Sequence, residues 1–333
     1  MQSTTKNPLK VSIIIVNFNG LAHLKRCLSS VLNSDYGSIE IIVVDNASTD
    51  GSVEIIQEEF RGHSNIITLI PLRSNLGFSV GNNVGASIAK GELLFLLNND
   101  TEIDKDGIKE VVTAMEGDVS IGVGQPKILL MNRRTTFDSA GVFVNVNGFG
   151  QIRGLNEEDH GQYNVPYEIS YAKGAAFIVR RSVWTQLGGF EPLFFAYFEE
   201  TDFCLRVWLA GYRVVFIPHA RVFHVGAATI SKGISQKFRF QDYRNRIVMV
   251  AKILSLKNLV KYMPWLAVVY LNRIRLHIRD KDFSSVLANL KAVVWSLRFF
   301  KVIWAKRLAV QQNRKVSDET LFERGIISKS LHL

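Results

Sequence analysis

From residue 11 onward, short runs of β-branched and aliphatic residues alternate with amphipathic stretches. VSIIIVNF (11–18), IEIIVVDN (39–46), NIITLIPL (65–72) and ELLFLLNND (92–100) read as strands. LAHLKRCLSSVL (21–32), SVEIIQEEF (52–60) and a Gly-rich stretch at 77–90 read as the helices between them. Strands this continuously apolar are covered on both faces, which predicts an α/β fold with a mostly parallel central sheet. In such sheets ligands sit beyond the carboxyl ends of the strands, so the residues that end strands carry the candidate chemistry.

Residues 119–181 change to short strands with Gly and Asn turns, around a polar acidic stretch, GLNEEDHGQYNVP (154–166), that reads as a loop. A helix is expected over 201–211 (TDFCLRVWLAG) and extended chain over 212–225. Helical patterns then occupy 238–254, 259–278 and 285–308. The chain therefore divides into a polar lead (1–10), an α/β unit (11–230, in halves 11–118 and 119–230) and a helical region (231–333).

Charge sharpens that division. Residues 1–236 carry 20 Lys and Arg against 24 acids, whereas residues 237–333 carry 20 against 6, so the overall +10 belongs to the helical region. A basic tail on a slightly acidic globule points to an anionic surface as partner. Its longest uncharged run, MPWLAVVYL (263–271), is far too short to span a bilayer. Over 285–308, Val286, Leu290, Val293, Leu297, Phe300 and Trp304 recur every three or four residues with most cations elsewhere. That spacing suits a helix lying in a membrane interface, and the interleaving of cations with large aliphatics speaks against nucleic acid. On this reading, removing residues 237–333 releases a soluble globule.

The 47% apolar content excludes disorder, and Cys27 and Cys204, each in an apolar helical pattern, read as reduced core residues in a cytosolic chain. The polar opening is too short for a signal-peptide core. Neither GxGxxG nor GxxxxGK[ST] occurs, so dinucleotide oxidoreductase and P-loop chemistry lose their phosphate cradle.

At the strand ends, Asp45 in VVDNASTDGS either accepts hydrogen bonds from a ribose or base, or serves as a turn or cap aspartate. Asp50, followed by a helix, reads as an N-cap. Asp100 closes LLNND, where a carboxylate can anchor a hard divalent cation or simply make a turn. Asn98 offers a neutral carbonyl on the same side. Glu199 and Glu200 follow a run of aromatics in GGFEPLFFAYFEETDFC just before a helix; crowded acids there gain raised pKa values suited to a general base, or simply favour a helix N-terminus. Asp202 and Arg206, four apart, read as an ion pair. His224 could join Asp100 only if its strand returns to that edge.

Together VSIIIVNFNG, VVDNASTDGS, NLGFSVGNNVG, LLNNDT, KGAAFIVRRSVWTQLGGFEPLFFAYFEETDFCLRVWLAGY and FHVGAAT, in this order over residues 11 to about 230, resemble the inverting glycosyltransferases of family 2, with their nucleotide-sugar-binding GT-A fold. The nearest look is to bacterial rhamnosyltransferases acting on lipid-linked acceptors. The resemblance implies a nucleotide-sugar donor held by Asn17, Asn19, Asp45, Asn75, Gly77, Asn82, Asn98 and Asn99. It implies a divalent metal, Mg²⁺ or Mn²⁺, at Asp100 with His224 as a further ligand, and an acceptor near Gly174, Gly189 and Phe190. It places the base at Glu200, with Glu199 in support. Two departures stand out: Asn98 replaces the first acid of the metal motif, and the acidic pair is Glu-Glu rather than Glu-Asp. The expected activity is transfer of L-rhamnose from its dTDP donor to a lipid-linked saccharide, by a peripheral enzyme on the cytoplasmic face of a bacterial inner membrane. Galactofuranose or N-acetylglucosamine transfer and a silent membrane scaffold are the alternatives.

Overall fold

A computed structural model describes residues 8–226 and 236–330; the polar lead up to residue 7, the second half of FHVGAAT and the start of the helical region lie outside the described residues. The chain opens with β1 (Val11–Asn17), α1 (Leu21–Leu32), β2 (Ile39–Asp45), α2 (Ser52–Glu59), β3 (Ile67–Pro71), α3 (Gly77–Ile88) and β4 (Leu93–Asn98). These four strands pair in the order 3-2-1-4, all parallel, because each crossover helix buries an apolar stripe on a sheet that is apolar on both faces. Gly85 lets α3 lie close on β1, since a Cβ there would stand 2.5 Å from Ile14.

Beyond β4 come β5 (Thr101–Ile103), α4 (Gly107–Gly117), β6 (Ile121–Leu130), β7 (Arg133–Ser139), β8 (Val142–Asn145), β9 (Gly150–Ile152), β10 (Tyr167–Glu168), β11 (Ala176–Arg180), α5 (Arg181–Leu187), α6 (Glu199–Leu209) and β12 (Arg213–His224). Here the sheet becomes mixed, continuing β4-β11-β6-β12-β10 with β11 antiparallel to both neighbours and β12 parallel to β6. The helix expected from 201 starts at Glu199, so both glutamates are its first two residues. The 154–166 loop is pinned, with Asp159 on Lys127 at 2.6 Å and Glu157 and Asn156 bonded to the Phe137 backbone.

The tail forms α7 (Gln236–Ile253), α8 (Leu256–Arg279), α9 (Phe283–Arg298), α10 (Phe300–Gln312), α11 (Asp318–Glu323) and β13 (Ile327–Ser328). The helix expected at 285–308 is two helices, broken at Phe299, whose ring stacks on Trp295 at 4.7 Å. The break turns α10 back onto α7, where Arg307 donates to the carbonyls of Ala251 and Leu254 that end that helix. Nor is the tail wholly helical, because β13 adds beside β8 of the α/β unit.

Buried charge ties the two parts further. Lys252 of α7 lies 2.7 Å from Asp202 and 3.4 Å from Glu191, and Lys306 of α10 reaches Glu191 at 2.6 Å. These pairs lie at the contact between the α/β unit and the tail, and Asp202 is fully buried there with Arg206 as a second partner at 2.8 Å.

Candidate active site

The ends of β1, β2 and β4 meet in a hydrogen-bonded cluster. Asp45, buried at the end of β2, accepts from the Ser48 amide (2.8 Å), the Ser48 hydroxyl (2.6 Å) and Asn17 Nδ2 (2.9 Å). Asn17 in turn accepts from Asn99 Nδ2 at 2.7 Å, and Asn19, with a left-handed φ of 50°, accepts from the Thr49 amide at 2.8 Å. Three internal donors leave the Asp45 carboxylate further accepting capacity. Asp50 bonds the amides of Ser52 (3.1 Å) and Leu21 (2.9 Å), so it serves the first turns of α2 and α1 together.

Two members of the expected donor set sit at the start of α3. Asn75 accepts from the Gly77 amide at 2.9 Å, and Gly77, at φ 85°, passes so near the Phe195 carbonyl that a Cβ would lie 2.3 Å away. Asn82 is buried inside α3 and gives one amide hydrogen to the Phe78 carbonyl at 2.9 Å.

Asp100 follows Asn98 and Asn99 past the end of β4, and β12 does return to this edge, with His224 opposite Thr101 and the Val225 amide on the Asp100 carbonyl at 3.0 Å. His224 Nε2 lies 3.4 Å from Asp100 Oδ1, while its Nδ1 pairs with Asp138 Oδ2 at 2.7 Å. Asp138 Oδ1 receives Lys173 Nζ at 2.6 Å. Burial pushes the imidazole pKa down, but the two carboxylates outweigh it and lift His224 to about 9. Burial likewise pushes both aspartates up and the His224 cation outweighs it, holding each below the usual carboxylate range.

A metal fits here in part. Asp100 Oδ1 is buried without a hydrogen-bond donor, and His224 Nε2 faces it, a hard oxygen and an imidazole nitrogen side by side. Among the described residues no group of three or more His, Cys, Asp or Glu gathers as a complete ligand set, so donor diphosphate and water would have to finish the shell. Asp138 holds the far ring nitrogen, as outer-shell carboxylates do behind metal-binding histidines.

The acidic pair lies across the Lys173–Gly174 segment. Tyr197 and Phe198, at φ 70° and 73°, are strained non-glycine residues immediately before it, held by Asn245 Nδ2 of α7 on the carbonyls of Ala196 (3.0 Å) and Tyr197 (2.7 Å). Glu199 is buried and Glu200 only half-buried, and each leaves one carboxylate oxygen, Oε2, shielded from solvent without a partner. Burial lifts both carboxyls; Glu199 is raised further because the Glu200 charge adds to burial, whereas Lys173 pulls Glu200 back. Burial and mutual repulsion thus favour a shared proton on the pair. A Cβ on Gly174 would meet the Glu200 carboxylate at 3.6 Å, so the glycine borders the base position.

Gly189 and Phe190 are not open to an acceptor. Phe190 is fully buried, packed on Trp184 at 4.9 Å and Phe203 at 5.8 Å, and the Gly189 carbonyl accepts from buried Arg206 at 2.7 Å. Arg206 also pairs with Asp202 at 2.8 Å, as its spacing predicts. In the aromatic run, Phe190 and Phe194 are core while Tyr197 stays exposed. Asp138, Lys173, Lys252 and Asn245 escaped the sequence reading. A lone cation in the apolar run VMVAKIL was the one available signal, for Lys252.

Against known proteins, the chain is 28% identical over 258 residues to the low-salt glycan biosynthesis hexosyltransferase Agl10 of Haloferax volcanii, covering 74% of this chain and 76% of that protein. It is 23% identical over 250 residues to the N-acetylglucosaminyl-diphospho-decaprenol L-rhamnosyltransferase of Mycobacterium tuberculosis, covering 64% and 75%. The crystal structure of GalNAc-T7 with UDP, GalNAc and Mn²⁺ shares the fold, with a TM-score of 0.56 at 21% identity over 66% of this chain. Coverage of the matched proteins is uneven, the chain spanning 25% of one curated relative and 43% of the GalNAc-T7 chain. The model of glycosyl transferase family 2 matches residues 12–187, more than half of the sequence, and the chain belongs to that family.

Proposed function

We propose that this family 2 chain transfers L-rhamnose from dTDP-L-rhamnose to a lipid-linked saccharide with inversion, at the cytoplasmic face of a bacterial inner membrane. The observation that carries the chemistry is the acidic pair: a half-buried Glu200 beside a buried Glu199, each with an unpartnered Oε2, bordering Gly174, whose neighbour Lys173 binds Asp138 behind the Asp100–His224 pair. Glu200 takes the acceptor hydroxyl proton as that oxygen bonds to the sugar C1 from one face. The C1–phosphate bond breaks on the other, and the nucleoside diphosphate leaves with its electron pair. A divalent cation held by Asp100 Oδ1 and donor oxygens, and by His224 Nε2 once the cation displaces its proton, would supply positive charge for the departing diphosphate. Asp45, Asn19 and Asn99 supply acceptors and donors for the nucleoside, with buried Asn17 holding Asp45 and Asn99 in place and Asn98 beside the diphosphate. The sugar and acceptor are those of the mycobacterial L-rhamnosyltransferase, and the basic tail suits an acceptor that lives in a membrane.

A panel of nucleotide sugars, offered with and without an isoprenyl-diphosphate-linked N-acetylglucosamine, tests this. Rhamnosyl transfer with inversion is expected. Preference for another donor would overturn the sugar assignment, and no turnover of any donor would overturn the enzyme reading.

A further inference from the structure

The helical tail presents an apolar face that the described chain does not cover. Among the described residues, sixteen of the twenty-four exposed large apolar side chains lie between residues 256 and 308, a concentration that ordinary scattered surface apolars do not produce. Met263 and Leu271 of α8, Leu290, Val294 and Leu297 of α9 and Phe300 of α10 line one open groove of about 460 Å³. Ser296, Tyr270 and Arg307 each donate to a backbone carbonyl, and the groove's accessible lining is otherwise hydrocarbon. Because α9 and α10 are separate helices, the face is a composite of three elements and not the single stripe that spacing suggested.

Charge identifies what covers it. Residues 256–308 hold eleven Lys and Arg but only two acids, Asp280 and Asp282, both at the turn between α8 and α9. Exposed Lys257, Lys261, Lys291, Arg298 and Lys301 form no ion pair among the described residues. A second copy of this face would set cations against cations with no acid to meet them. An anionic lipid surface accepts both features at once, apolar side chains below and cations at the headgroups. No described helix is long and apolar enough to cross a membrane, so the fit is to a surface and not a span.

We propose that the composite α8–α9–α10 face docks on an anionic bilayer, with the groove rim at the headgroup–acyl boundary. α7 then becomes the link to chemistry. Its Ile247 and Ala251 line the groove while its Asn245 holds the strained carbonyls of residues 196 and 197, so the lipid surface lies one helix from Glu199 and Glu200. The inference specifies the membrane face within the proposed function, but it does not depend on the transfer chemistry.

Full-length protein is sedimented with vesicles of phosphatidylcholine alone and of phosphatidylcholine mixed with phosphatidylglycerol. Binding at least about tenfold tighter to the mixed vesicles is expected. Val294→Glu with Leu297→Glu, both exposed and checked for unchanged melting, should abolish that binding, and Lys291→Gln with Arg298→Gln and Lys301→Gln should abolish the preference for anionic lipid. Wild-type protein that ignores both vesicles, or a double-glutamate variant that binds like wild type, overturns the proposal. So does a wild-type dimer in free solution that the same variant dissociates, because a second copy then covers the face. Nucleotide-sugar hydrolysis without vesicles reads the transferase assignment separately, and the double-glutamate variant should retain it.

Discussion

Two acidic clusters flank the Lys173–Gly174 segment, built from similar carboxylates and prepared for opposite tasks. Around Asp100, two aspartates alternate with His224 and Lys173 at 2.6 to 3.4 Å, so every charge has an opposite neighbour and the acids stay ionised. Around Glu200, two adjacent glutamates share a helix start with no cation within ion-pairing distance among the described residues, and burial lifts both toward the protonated form. Environment, not residue type, makes the first cluster a holder of charge and the second a holder of protons. The link between them is one residue long, since Lys173 binds Asp138 and Gly174 borders Glu200.

The sharpest way to break this contrast is Glu200→Gln, which keeps shape and removes proton acceptance. General base catalysis is typically worth about 10² to 10⁴ in rate, and turnover should fall on that scale while nucleoside diphosphate affinity is unchanged. A variant that transfers sugar at near wild-type rate would dissolve the distinction between the clusters.

On the charged side, Asp100→Asn should remove most activity and most divalent-cation affinity. Because Asn98 contributes no charge, calorimetry of Mn²⁺ with wild-type protein should show weak binding alone and much tighter binding with nucleoside diphosphate present. Tight binding to the free protein would mean that the ligand set is complete without the donor, against the pairing seen around Asp100.

Asp138→Asn probes the residue that sequence reasoning missed. Outer-shell partners of metal-binding histidines are worth about 10- to 100-fold in metal affinity, and a loss of that size is expected, read by Mn²⁺ titration in the presence of nucleoside diphosphate. Rescue by Asp138→Glu would separate orientation of the His224 ring from general destabilisation.

What could be read from the chain depended on where each partner comes from. Asp45 and Asp100 stand at the ends of apolar runs, so a local pattern and the rule about strand termini locate them. Asp138 lies on β7 and meets His224 of β12 only because both pair with β6, a juxtaposition no local spacing encodes. Phe190, placed near the acceptor by the family resemblance, instead closes a cluster with Trp184 and Phe203. The tail showed its basic, apolar character plainly. Its attachment did not show, because Lys252 finds Asp202, fifty residues earlier, only after α7 packs on α6.

The smallest effect is also the most diagnostic of the proton-holding cluster, and it comes from Glu199→Gln. In the fold Glu199 is raised well above the usual carboxylate range by burial and by Glu200, whereas in the unfolded chain it titrates normally. The fold therefore binds its proton more tightly; that stabilisation is fully present below the ordinary glutamate pKa and is lost as pH rises through the raised folded value. Glutamine imitates the protonated acid at every pH. The melting temperatures of variant and wild type should nearly coincide in mild acid and separate in favour of the variant toward pH 8, by about 2–4 °C for each kcal/mol relieved. Transfer should fall less than tenfold, since the amide can still donate to Glu200. A wild-type protein that gains stability relative to the variant as pH rises would show Glu199 ionised in the fold. Transfer abolished in Glu199→Gln but spared in Glu200→Gln would move the base by one residue.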